Sequence, residues 1–155
     1  MTQRVHGKNS FRSLDEMLSF IDQISESNHE TLGRWSAAQN FYHLAAAIEG
    51  SIQQLPAGYP WFVRLKLRPL RSFVIKYRFP PMLPIPAAIR HRLDPPSDVQ
   101  FHGQKARLVE AIHAFRLHVG DHAAHPVLGQ LTREDWFSFH LRHSSHHLSF
   151  IRIIK

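Results

Sequence analysis

At 155 residues, with 43% hydrophobic and 20% charged residues, the chain has the make-up of one ordinary globular domain with a real core. It has no cysteine, which excludes a disulfide framework, thiolate zinc sites, iron–sulfur clusters and cysteine nucleophiles, so any metal must rest on imidazole and carboxylate. The formal charge of +7 suits an anionic partner, nucleic acid or a membrane surface, and equally suits solubility alone.

In chain order, the N-terminal MTQRVHGKNSFRS has no apolar core of the signal-peptide kind, and no stretch approaches the roughly 18 to 20 apolar residues of a membrane span, so a cytoplasmic protein is expected. A capping box at Ser13-Leu14-Asp15-Glu16 opens the first helix, with Leu14, Met17, Leu18, Ile21 and Ile24 at helical spacing; it ends near Ser25 to Asn28. A second box, Ser36 to Gln39, opens a helix that turns Phe41, Leu44, Ala45, Ile48 and Ile52 to one side and ends by Pro56.

Residues 56–98 hold nine of the ten prolines, a length that implies a crossover and not a tight turn. From Gly50 to Leu93 there are eight Lys or Arg and no Asp or Glu. Within it WFVRLKLRPLRSFVIKYRF reads as one or two short amphipathic helices broken at Pro69, with Arg64, Lys66, Arg68, Arg71, Lys76 and Arg78 forming a basic surface. That surface fits an anionic membrane or a nucleic-acid backbone. The plainer reading is a solvated cover in which Trp61, Phe62 and Phe73 pack on the bundle while the cation stems spread over apolar surface.

The third main helix runs from about Phe101 to Val119 and stops at Gly120. His125 and Pro126 lie in a loop before Gly129, where the histidine caps a turn. Thr132 caps the fourth helix, with Leu131 and Trp136 as a hydrophobic staple, and the helix is expected to run almost to Lys155. No segment alternates in the manner of a strand. The expected fold is therefore all-α, a four-helix bundle with a long proline-rich crossover between helices two and three. Dimers are common among bundle proteins of this size, so a homodimer is one expected state on base rate alone, and the sequence does not identify the oligomeric state.

The chemistry gathers in the last helix. At about 100° per residue, Trp136, His140, His143, His147, Phe150, Ile151 and Ile154 share one side. Imidazoles on such a face lose water and need donors or a cation in return. His143 and His147 stand one turn apart, a spacing that suits one divalent ion and is equally met by two satisfied core histidines. A third ligand must come from a facing helix, and His43 is the candidate, beside the small residues Ala46, Ala47 and Gly50. Projection nevertheless sets His43 nearly opposite the Phe41, Leu44, Ile48 stripe. His140 is a reserve ligand or a polar residue at a pocket mouth, and His146 falls on the flank, where it would support a ligand ring or an interface. Ser144 and Ser145 make no hydrolase, because there is no Gly-x-Ser-x-Gly elbow and no orienting acid.

WSAAQNFYHLAAAIE, HPVLGQLTREDW and HLRHSSHHLSF resemble the DinB-like superfamily of four-helix proteins, in its domain-of-unknown-function branch, over most of the chain. The resemblance implies a divalent metal, commonly nickel or zinc, on His43, His143 and His147, the second histidine of the HH doublet being the ligand. Superfamily members often carry an acidic residue before the doublet and a polar one, frequently Gln, soon after it; this chain has Ser145 and the Ser149-Phe150 pair. The resemblance further implies transferases and isomerases that use low-molecular-weight thiols. Two classes follow: a metal-dependent small-molecule enzyme of thiol-transfer type in which zinc or nickel activates a thiol or water, or a non-catalytic binding protein on the same scaffold or its basic segment 64–92.

Overall fold

The computed structural model describes residues 10–53, 60–76 and 87–154, without the side chains of Trp61, Arg64, Leu67, Arg68, Leu70, Ser72, Val74 and Lys76. Among them the chain is mostly helical: α1 (Leu14–Gln23), α2 (Ala37–Ile52), α3 (Trp61–Lys76), α4 (Ala87–Leu93), α5 (Phe101–Leu117) and α6 (Arg133–Leu148). Two short strands, β1 (His29–Thr31) and β2 (Ile151–Ile153), complete it.

Local chemistry sets the helix starts. Ser13 accepts from the Glu16 amide, and the Glu16 carboxylate takes the Arg12 amide, one residue before the position of a standard box. Ser36 with Gln39, and Thr132 with Asp135, close complete capping boxes on α2 and α6. Leu131 and Trp136 are both buried, as a staple requires, and the Trp136 indole donates to the Ala123 carbonyl at 3.1 Å.

α2 packs most extensively on α5, and also against α6 and α4, so it is buried around nearly its whole circumference. Phe41, Leu44 and Ile48 meet Leu108, Ile112 and Phe115 in one core with Met17 and Ile21 of α1. The Arg107 guanidinium holds the Glu49 carboxylate with both arms, at 2.8 and 2.7 Å, which ties α5 to α2 at the edge of that core. Lys105 closes the C-terminal end of α1 by donating to the Asp22 and Ile24 carbonyls.

Three expectations are corrected. The last helix ends at Leu148, not near Lys155, and Phe150, Ile151 and Ile154 leave its stripe. Ile151–Ile153 pairs antiparallel with His29–Thr31, Ile151 opposite Thr31 and Ile153 opposite His29, so the fold carries a small β-ribbon and is not purely α. Phe-Ile-Arg-Ile-Ile satisfies both periodicities over so short a run, and its β-branched residues favour the strand once a distant partner is present. Second, α3 is continuous through Pro69. Pro69 and Leu65 both lie on the exposed side, where water can solvate the carbonyl that the proline leaves without a donor.

Third, Phe62 and Phe73 do not pack inwards: they are 52% and 49% exposed. Among the described side chains Ile75 packs against the core, Arg71 pairs with Asp135 at 2.5 Å, and Arg142 donates to the Ile75 carbonyl at 2.7 Å. Lys66 is exposed; the side chains of Trp61, Arg64, Arg68 and Lys76, and the whole of Arg78, lie outside the described residues. Among the described residues no helix is long and apolar enough to cross a membrane.

Candidate metal centre

Because α2 is enclosed by α4, α5 and α6, the side of α2 opposite the Phe41 stripe is interior too. His43 is 4% exposed there and faces His143 of α6, 5% exposed. Their Nε2 atoms stand 3.1 Å apart. His147, one turn beyond, completes a group of three whose ligand atoms all lie within 4.8 Å of one another.

Orientation is set from behind. His43 Nδ1 donates to the Leu93 carbonyl, the last residue of α4, at 2.8 Å, which leaves Nε2 as the bare nitrogen. His147 Nδ1 donates to Asn40 Oδ1 at 3.2 Å. The Asn40 amide can point only that way, because its Nδ2 donates to the Trp35 and Ser36 carbonyls. His147 therefore also presents a bare Nε2. Trp35 stacks on His147 at 5.6 Å between ring centroids and tilts against His43 at 5.0 Å, walling one side of the cluster.

This donor set fits a cation. Two imidazoles bound tetrahedrally at roughly 2.0–2.1 Å place their nitrogens roughly 3.3 Å apart, close to the 3.1 Å observed between His43 and His143. A single shared proton would reconcile those two lone pairs but would leave the third, on His147, without a partner in the cluster. Burial pushes all three imidazoles below their ordinary value, and the neighbouring rings push His143 and His147 further down. The neutral form, the one that ligates, is thus the resting state.

The other expected residues fall elsewhere. His140 is neither reserve ligand nor pocket mouth: it is 1% exposed, donates from Nε2 to Ser51 Oγ at 2.9 Å and stacks on Trp136. The Ser51 hydroxyl donates onward to the Ile48 carbonyl, so His140 is a core histidine linking α6 to α2. His146 packs edge-on to His147 and Phe150 and lies outside the group of three. His125 caps its turn by accepting the Val127 and Leu128 amides at Nδ1, with Gly129 at φ +78° closing the loop. Ser145 accepts the Phe11 amide and donates to the Leu141 carbonyl, so it anchors the N-terminal chain.

Sequence reasoning missed the orienting groups. The superfamily pattern points to an acidic residue beside the histidine doublet, whereas Asn40 and the Leu93 carbonyl do the orienting. The signal available for Asn40 is its place on α2: it is a carboxamide three residues before His43, and so on the same side of the helix. Replacing Asn40 by alanine is expected to weaken metal binding about 10–100-fold, read by competition with a chromophoric chelator, because His147 is then free to rotate or change tautomer. Unchanged affinity would show that Asn40 does not orient the ring.

A family model described as a protein of unknown function (DUF1569) matches residues 6–153. Neither a curated protein nor a solved structure matches the chain.

Proposed function

We propose that this chain, which belongs to the DUF1569 family, holds one divalent ion, Zn²⁺ or Ni²⁺, on His43, His143 and His147 and uses it on a small molecule. One observation carries the reading: the Leu93 carbonyl and the Asn40 amide hold the Nδ1 protons of His43 and His147, so that both rings turn a bare Nε2 towards the cluster. An ion with three imidazole ligands keeps a position open and acts as a Lewis acid, lowering the pKa of a bound water or thiol. The chain's own part is to keep the rings neutral by burial, to fix their tautomers, and to exclude water on the side closed by Trp35.

The substrate class follows from the DinB-like reading, in which α1, α2, α5 and α6 are the four bundle helices and residues 56–98 the crossover. On that reading the second reactant is a low-molecular-weight thiol, the reaction a transfer or isomerisation, and the location cytoplasmic.

Elemental analysis of tag-free protein tests the metal, with about one zinc or nickel per chain and a fall in melting temperature on chelation as the expected results. A protein that stays metal-free and indifferent to both ions overturns the proposal. The thiol is tested on the Co²⁺-substituted protein, where adding a small thiol is expected to raise a sulfur-to-cobalt charge-transfer band. Metal binding without that band removes the thiol and leaves the metal.

A further inference from the structure

The exposed side of α3 has a composition that the metal centre does not explain. At about 100° per residue, Phe62, Leu65, Lys66, Pro69 and Phe73 fall within one arc, opposite Arg71 and Ile75, which face α6. All five are exposed, and the three large apolar ones among them are 52%, 54% and 49% so for Phe62, Leu65 and Phe73. The inner side carries Arg71 and Ile75, the latter packed against the core, so the outer row is apolar surface beyond what the helix uses to dock.

We propose that α3 lies on an anionic lipid surface, with Phe62, Leu65 and Phe73 entering the headgroup and acyl boundary. Charge chooses the occupant. Among the described side chains Lys66 is the charge within the arc, and the segment from Gly50 to Leu93 carries eight Lys or Arg and no acid, so a second copy of the segment would meet it with like charge, whereas acidic headgroups neutralise it. The apolar row chooses lipid over nucleic acid, because phosphate backbones reward cations and give Phe62, Leu65 and Phe73 nothing to enter. With 16 residues, α3 is about 24 Å long, enough to lie along a surface.

The test is co-sedimentation of the full chain with phosphatidylcholine vesicles, with and without phosphatidylglycerol, at low and high salt. The bound fraction is expected to rise about tenfold or more with the anionic lipid and to fall as salt is added. Phe62→Ser combined with Phe73→Ser is expected to lower partitioning about tenfold or more, and Lys66→Glu about fivefold or more, with the helical circular dichroism of both variants unchanged. Leu117→Ser with Val119→Ser removes apolar surface that is 75% and 92% exposed on another part of the fold, and binding is expected to survive it. No binding to anionic vesicles overturns the proposal. So does equal loss in the Leu117 and Val119 variant, binding to duplex DNA without binding to vesicles, or a dimer that buries α3 and ignores lipid.

Discussion

Replacing His143 by alanine is expected to weaken the binding of zinc or nickel by about two orders of magnitude. His143 is the middle ligand: its Nε2 stands 3.1 Å from that of His43, and His147 is one helical turn away on the same side of α6. Four-ligand zinc sites in small peptides bind with about 10–16 kcal/mol, or about 2.5–4 kcal/mol per ligand, so losing one of three imidazoles weakens binding on the order of 100-fold. The stability gained from metal falls with it. At a free metal concentration of about 1,000 times the dissociation constant the parent gains about 4 kcal/mol, and at the same concentration a variant bound 100-fold more weakly gains only about 1–2 kcal/mol. His143→Gln keeps more of the volume and is expected to show the same loss, which separates a missing ligand from a cavity. A His143 variant that retains one tightly held ion per chain removes the site.

The second large effect is acid sensitivity of the metal-free protein. Burial lowers His125 and His140 from 6.5 to about 3 in the folded state. For a base with a depressed folded value, the unfolded chain takes up its proton first as pH falls. The stability contributed is complete above about pH 6.5 and is lost progressively as pH falls towards 3. At pH 5 each of the two has cost about 2 kcal/mol, together about 4 kcal/mol. That is a large part of the roughly 5–15 kcal/mol by which a domain is stable. His43, His143 and His147 act in the same direction. Acid unfolding in chelator is therefore expected between about pH 4 and 5, with stability falling by about 3 kcal/mol per pH unit or more on the way.

His140→Phe removes one of those protons. It keeps an aromatic ring against Trp136 and Phe115, and the Ser51 hydroxyl retains its bond to the Ile48 carbonyl. The acid midpoint is expected to move down, with stability at neutral pH changed by about 1 kcal/mol. A parent protein still folded at pH 3, or a variant with an unmoved midpoint, contradicts the assignment of His140 as a neutral core residue.

The helix starts were legible because capping is local: Ser13, Ser36 and Thr132 each act on an amide three residues on. The His143 and His147 pair was legible for the same reason, since one turn of helix sets it. The C-terminal strand was not legible. Its partner, His29–Thr31, is more than a hundred residues away in sequence, and five residues are too few for periodicity to separate helix from strand.

Sequence by itself determined the kinds of ligand available, the helix boundaries at capped ends and the imidazole stripe on α6, all of which depend on composition or on contacts within a turn or two. Tertiary structure alone decided that His43 faces His143. A projection wheel assumes one buried side, and α2 is enclosed by α4, α5 and α6. It also decided which groups orient the rings, because the Leu93 carbonyl reaches His43 across 50 residues and Asn40 reaches His147 across 107. Bonds between segments so far apart leave no periodic trace along the chain, since they exist only once the helices have packed.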